Sequence, residues 1–373
     1  MKTTIVVAAW MLMATMTATA QMLFVHPGAL NEKKELDCVK SLIGAGAEPY
    51  LSAFHQIMPL AVGGAHALLY VNSSSDEDAN ISKFDARKAY ANALVWYFTD
   101  EDIYAQQAIT VLNAWSVLQG FNAGSDQDKL QAGWIGALLA PAAEIMRGYS
   151  GWKPVDRGNL QTMFKRAFYP ALNTPSSWNG NVDLTQIEAM MSIAVFNEDQ
   201  NEFNMAVERF NKRVPAYFYQ ISDGGIPSIS GDGNNIPHFW SNPTVWVDGL
   251  TQETCRDNNH HAQYALAAAL HAAEVAWHQG VDLYSSHTKR FTDAMELMAK
   301  QINSGDMQGI CNNNSATTDV FDTWEIGYNH YHFRKGIQLP NTEQILLEKV
   351  RNYGASDWNI FFETLTHANV DQH

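Results

Sequence analysis

Basic charge is what this sequence holds least of: 24 Lys plus Arg stand against 39 Asp plus Glu, a formal net charge of −15 at pH 7 over 373 residues. Binding along a phosphate backbone needs a basic face, so nucleic acid is not an expected partner. An acidic ligand stays admissible, because a cleft can be locally positive inside an acidic protein. Cysteine is nearly absent as well. Cys38, Cys255 and Cys311 are too few for a disulfide scaffold and too far apart for a zinc knuckle, so at most one bridge forms and one thiol is left over. Past the N-terminus no apolar run reaches the roughly 20 residues that span a bilayer, so no membrane partner is expected. Alternating strand patterns are few. There is no HExxH, no G-x-S-x-G elbow, no phosphate-binding loop and no G-x-G-x-x-G after a strand, and no metal or cofactor is expected.

What is present is aromatic and helical. Eleven Trp, 14 Tyr and 17 Phe accompany 46% hydrophobic and only 17% charged residues, enough for a large core with rings to spare for carbohydrate platforms. Residues 1–20 have the form of a secretory signal: Lys2, an apolar run from Ile5 to Met13, then Ala18-Thr19-Ala20 as a signal-peptidase site. A secreted or periplasmic protein is expected, with residues 21–373 as one domain. Paired amphipathic helices dominate. Segments 85–98 and 101–117 carry apolar residues at three- and four-residue spacing around Thr99-Asp100, a helical hairpin with an N-cap at the break. Further helices are expected at 131–148, 158–171, 183–196, 201–213, 262–278, 287–303, 318–333 and 342–352. The fold class is therefore all-α. Between 220 and 258 the pattern gives way to a loop rich in Gly, Asn, Pro and Trp, and a long loop in a helical protein is commonly functional. One such loop fits an α/α toroid with a site at its mouth, closed or incomplete, better than an open array.

Three segments carry chemistry. Glu253-Thr-Cys-Arg256-Asp257-Asn-Asn-His260-His261-Ala-Gln-Tyr264 gathers an Arg to neutralise a carboxylate, a His to take a proton and a Tyr to give one. With a helix starting near Asn258, His260 and Tyr264 share a face at i, i+4. The same residues also read as a capped helix start with an Asp257 salt bridge. Trp178-Asn179-Gly180-Asn181-Val182-Asp183 sets two amides beside an indole, or else is an Asn-Gly turn with Asp183 as N-cap. Tyr328, His330 and Tyr331 lie in a third, aromatic segment, which core packing would equally explain. In the loop, His238 and Trp240 are flanked by rings and suit a sugar cleft. His271, Glu274 and His278 fall on one helix face and read as a polar outer stripe rather than a metal site.

Taken together, the Trp-Asn-Gly-Asn-x-Asp run, the Glu-Thr-Cys-Arg-Asp…His-x-Gln-Tyr run with the helix after it, and Trp324-Glu-Ile-Gly-Tyr-Asn-His-Tyr331 resemble the alginate-lyase-like domain of secreted polysaccharide lyases. The resemblance spans roughly residues 50–350. It implies an α/α toroid that cleaves a uronic-acid polymer, alginate or glucuronan, by β-elimination, with an acidic polysaccharide as partner. It further implies Arg256, Asn181 and Asn179 as carboxylate-neutralising or sugar-binding groups. The resemblance leaves the choice of acid tyrosine open; the His-x-Gln-Tyr spacing favours His261 over His260 and Tyr264 as the acid, with Tyr328 or Tyr331 next and His238 as a reserve histidine. Trp178, Trp240, Tyr328, His330 and Tyr331 would bind substrate. Two other classes stay open: a glycoside hydrolase using two carboxyl groups from among Asp232, Asp248, Glu253 and Asp257, and a non-catalytic glycan-binding protein.

Overall fold

The computed structural model describes residues 22–176, 178, 180–225, 227, 236–307, 309–312, 315–351 and 362–368. The expected signal (1–20), Asn179 and Asp232 lie outside them. The described chain runs through α1 (Lys33–Gly44), α2 (Tyr50–Ile57), α3 (Asp76–Thr99), α4 (Asp102–Trp115), α5 (Asp126–Met146), α6 (Pro154–Met163), α7 (Tyr169–Leu172), α8 (Gly180–Asn197) and α9 (Gln200–Tyr217). It continues through α10 (Ile236–Phe239), α11 (Thr254–Asp257), α12 (His260–His278), α13 (Thr288–Ser304), α14 (Glu325–Tyr328), α15 (Pro340–Ile345) and α16 (Glu363–His367). A π-helical stretch, Phe164–Phe168, joins α6 to α7, and another, Asn329–Arg334, extends α14. Among the described residues the only named strands are β1 (Tyr70–Val71) and β2 (Gly120–Phe121), paired in parallel.

Two kinds of helix make two layers. In α8 every residue from Gly180 to Phe196 is buried, and in α12 every residue from Ala262 to Ala276 is. Helices buried all round belong to an interior layer. By contrast α13 buries only Phe291, Ala294, Met295, Met298, Ala299, Gln301 and Ile302, one stripe of an outer helix. The inner elements α3, α5, α8, α12, α14, α16 and α1 each pack on the next, and α1 returns to α3, which closes a ring. Outside it α4 packs on α3, α9 on α8, and α15 on α13. β1 pairs with β2 just ahead of α3 and α5, Ser176 ahead of α8 meets Asp126 at the start of α5, and Gly180 at the start of α8 meets Gln252 ahead of α12, so the N-termini of α3, α5, α8 and α12 gather at one face of the toroid. The β1–β2 pair lies there too.

Several local readings are corrected. Asp100 does not cap α4; it sits in the left-handed region at φ 59° as the C-cap of α3, and Glu101 is the N-cap of α4. Asp183 is not an N-cap either. It lies within the first turn of α8 and pairs with Arg209 and, at 2.9 Å, with Arg213, tying α8 to α9. Helix α14 begins at Glu325, not 318, and α1, α2 and α16 were not expected at all.

The largest revision concerns His271, Glu274 and His278. They face inward, each under 8% exposed, and join the ring's elements through ions. His271 touches Glu188 of α8 at 2.8 Å and Glu363 of α16 at 2.6 Å. One to two turns further along α12, His278 meets Glu35 of α1 at 3.0 Å and Glu274 at 3.2 Å, and Arg334 meets Glu274 at 2.7 Å. An Ala-rich neighbourhood looked like a solvated stripe. It is instead what lets the polar side chains sit between closely packed helices.

Candidate active site at the mouth of the toroid

The chain reaches the site through two consecutive left-handed residues. Asn258 (φ 62°) and Asn259 (φ 73°) separate the single turn α11 from α12, and asparagine is among the few side chains that tolerate this conformation. The double reversal sets Arg256 at the end of α11 and His260 and His261 on the first turn of α12. Nearby, the Asn258 carbonyl accepts from the Thr317 amide at 2.8 Å and the Asn259 side-chain amide donates to Gln301 at 2.7 Å. A Cys255–Cys311 disulfide pins the same turn, leaving Cys38 as the free thiol.

Arg256 is held from behind. Its guanidinium pairs with Glu253, which is 1% exposed, and Glu253 accepts the Tyr217 hydroxyl at 2.7 Å. Burial lifts the Glu253 carboxyl above its ordinary range, with Tyr217 and Arg256 pulling the other way. The Arg256 side chain nevertheless remains 43% exposed. A fork with one edge anchored and the other in solvent is suited to a ligand carboxylate.

The same scaffold supports the second segment. The Gly180 amide donates to the Gln252 side chain at 2.7 Å, and a Cβ on Gly180 would stand 2.3 Å from the Tyr217 ring. Only glycine lets α8 begin against Tyr217. Asn181 follows, 3% exposed on the first turn of α8, while Trp178 presents its ring at 47% exposure. Segments 178–181 and 253–264 are thus brought together through Tyr217 and Gln252.

The two histidines differ in their partners. Asp257 accepts the His261 backbone amide at 3.1 Å and engages its ring through Nδ1 rather than Nε2. Burial pushes the Asp257 carboxyl up, but the His261 ring and amide and Arg256 outweigh it and hold it below the usual range. His260 Nδ1 lies 3.1 Å from Asp319. Tyr264 is 1% exposed beneath both, its ring 5.8 Å from His260, 5.7 Å from His261 and 4.4 Å from Phe321. Burial first, then Asp319 and Asp257, raise its phenol above the ordinary value.

The remaining expected site residues fall elsewhere. Trp240 is 2% exposed and packs with Tyr219 and Trp246 in a small secondary core, so it is no open platform; His238 on α10 is exposed. Tyr328, His330 and Tyr331 are buried. His330 stacks on Tyr284 at 3.6 Å and touches Trp277. Trp277 is 16 residues beyond His261, or about 24 Å along α12. That segment packs the far end of the ring, and burial, with Arg334 and Lys335, pushes His330 down to about 3 against the pull of Glu274.

Of the carboxyl groups weighed for hydrolysis, the three among the described residues are engaged: Asp248 by Lys289 at 2.7 Å, Glu253 by Arg256 and Tyr217, Asp257 by His261. Glu35, Glu274 and His278 place ligand atoms within 4.8 Å of one another. Arg334, at 2.7 Å from Glu274 and 3.4 Å from Glu35, already supplies the cation there. The supporting roles of Glu253, Tyr217 and Gln252 were not foreseen. Only the i, i+3 spacing of Glu253 and Arg256 hinted at them.

The sequence matches the alginate lyase family over residues 68–231 and 240–307. No curated protein matches the chain significantly. Among solved structures, alginate lyase A1-III from Sphingomonas species A1 is similar at 15% identity and a TM-score of 0.62, with 86% of this chain and 91% of that one covered. A histidine-to-alanine variant of A1-III complexed with tetrasaccharide gives 14% and 0.62, with 81% and 86% covered. An alginate lyase from Bacteroides ovatus gives 14% and 0.52, with 74% and 84% covered. Identities this low describe likeness of fold.

Proposed function

The chain belongs to the alginate lyase family, and from that premise we propose that it cleaves a uronic-acid polysaccharide of the alginate or glucuronan type by β-elimination at the mouth of the toroid. The observation that carries the reading is the half-exposed Arg256 fork, anchored by buried Glu253 and next in the chain to Asp257, which pairs with His261, whose ring packs on Tyr264.

The C5 proton of a uronate becomes acidic enough to remove only when the adjacent carboxylate is neutralised, so a fixed cation must meet the developing enediolate. Arg256 fills that role, Asn181 on the first turn of α8 is a further amide donor, and the Trp-Asn-Gly-Asn motif offers Asn179 as another. His261 Nε2 takes the C5 proton while Asp257 holds the ring by Nδ1. The C5–H electron pair becomes the C4–C5 double bond, the C4–O4 bond breaks, and O4 leaves as an alkoxide that takes the Tyr264 proton. A phenol whose proton is held firmly by burial matches so basic a leaving oxygen. Trp178 offers a ring face to the sugar, and His238 stands by as a further loop histidine.

The assay is direct: the protein is incubated with alginate, glucuronan and neutral glycans, and absorbance near 235 nm is followed. The unsaturated product of elimination absorbs there and a hydrolysis product does not, so reducing ends released without absorbance would replace the lyase reading with a hydrolase one. We read residues 1–20 as an export signal, consistent with a polymeric substrate met outside the cytoplasm. Among the described residues no helix is long and apolar enough to cross a membrane.

A further inference from the structure

The same face of the toroid holds a second opening that the elimination chemistry does not use. It is a cavity of about 530 Å³ between the β1–β2 pair, the start of α5 and the α6–α7 helix, within the roughly 300–1,000 Å³ range of small-ligand sites. Its charges are unevenly committed. Asp126 is paired with Lys129 at 2.7 Å and accepts the Ser176 hydroxyl at 2.8 Å. Asp128 accepts the Ser73 hydroxyl and the amides of Ala123 at 3.1 Å and Gly124 at 2.8 Å. Arg166, by contrast, spends Nε and Nη2 on the carbonyls of Leu118, at 3.2 and 2.7 Å, and Ser116, at 3.1 Å. Among the described residues no carboxylate pairs with it. The backbone contacts fix the guanidinium plane without cancelling its charge. Beside it Tyr70 lies 53% exposed on β1.

This opening adjoins the candidate active site through one strap of chain. Lys129 donates to the Pro175 carbonyl at 3.1 Å, and the Trp178 amide donates to the Ser176 hydroxyl oxygen at 3.1 Å. Pro175 and Ser176 therefore touch Lys129 and Asp126 at the edge of the cavity, and Ser176 in turn touches Trp178. A polymer lying across the mouth would pass from the cavity to Trp178. We propose that the cavity is a distal subsite for the same acidic polysaccharide, with Arg166 taking the carboxylate of a uronate several rings from the cleavage point and Tyr70 taking a sugar face. This rests on the lyase reading above. A guanidinium held planar is suited to a carboxylate; Lys129 offsets the charge of Asp126, while Asp128 keeps its charge and is turned to the donors of Ser73, Ala123 and Gly124.

The test uses the full protein and uronate oligomers of increasing length, with Arg166→Ala, Arg166→Lys and Tyr70→Ala. Tyr70→Ala leaves the Arg166 backbone contacts intact, so it reports on the cavity even if Arg166→Ala disturbs the 116–118 turn, and melting curves identify any such disturbance. Arg166→Ala is expected to raise KM about tenfold for the longest oligomers, the scale of a charge-assisted contact, and progressively less as the oligomer shortens. Tyr70→Ala should follow the same length dependence, and Arg166→Lys should recover part of the loss. Retardation in gels carrying polyuronate reads binding without turnover and should weaken in both alanine variants. A penalty independent of length, or none in either variant, overturns the subsite while leaving the lyase reading standing. Stronger retardation of the wild type by neutral glycans than by polyuronate also overturns it. Wild-type protein that yields no 235 nm product from any uronate overturns the lyase reading instead, and the gel then still decides whether Arg166 binds uronate.

Discussion

At the scale of single residues, the charges of the proposed site are held in place by their own protein partners. Arg256 keeps its fork oriented because Glu253 is buried and anchored by Tyr217. Arg256→Ala should lower turnover by about 100- to 1000-fold, the usual effect of removing one transition-state donor, when assayed below the melting range, which should itself fall because buried Glu253 loses its cation. A turnover loss that only tracks a lower melting temperature would reassign it to structure. Tyr264→Phe deletes one hydroxyl and keeps the ring against Phe321 and the histidines. If that hydroxyl protonates O4, kcat falls at least 100-fold while KM moves little. The alkaline limb of the wild-type profile carries a second signature. Burial disfavours the phenolate, so Tyr264 keeps its proton to higher pH than a free phenol, and activity should persist beyond pH of about 10, the ordinary tyrosine value. Near-full activity in Tyr264→Phe would remove this residue from the reaction.

At the scale of elements, the site depends on how α11 meets α12. The paired left-handed asparagines make the corner, and the Cys255–Cys311 bridge ties it to the chain beyond α13. The bridge spans 56 residues of sequence, a loop whose closure in the unfolded chain is worth about 4 kcal/mol in the chain-entropy treatment. Cys311→Ser should therefore lower the denaturation midpoint. It should also reduce kcat more than a distant destabilising change of equal size, because Cys255 adjoins Arg256. Equal kcat in Cys311→Ser and wild type below the melting range would show that the bridge serves stability alone.

At the scale of the whole molecule, the ring is closed by buried ions as well as by apolar packing. His271 binds α12 to α8 and α16 at once. His271→Ala would leave Glu188 and Glu363 buried without a cation, which costs about 3–5 kcal/mol and should appear as a melting temperature lower by several degrees. Burial opposes the imidazolium, yet Glu188 and Glu363 outweigh it and push His271 up to about 10. Glu188 is itself raised by burial, so we assign the shared proton to the imidazole, the one group touching both carboxylates. Because the folded value lies above the ordinary value of about 6.5, the protonated form stabilises the fold fully below that pH. The contribution disappears as pH climbs through about 10. Wild-type melting should decline across that interval more steeply than that of His271→Leu, and parallel slopes would refute the assignment.

The all-α class and most helices could be read from the chain alone, because a 3.6-residue apolar period is a local property that needs no partner. The Arg256–Tyr264 cluster was legible for a similar reason, since its members sit within nine residues and their relation is set by one helix start. Tertiary structure decided the rest. Whether Tyr328, His330 and Tyr331 faced substrate or core turned on which end of α12 they packed against, and Trp240 on whether Tyr219 and Trp246 covered it. Nothing in the spacing of His271, Glu274 and His278 could tell an outer stripe from an inner one. Their partners Glu188, Glu363, Glu35 and Arg334 come from helices distant in sequence, and only closure of the ring brings those charges together.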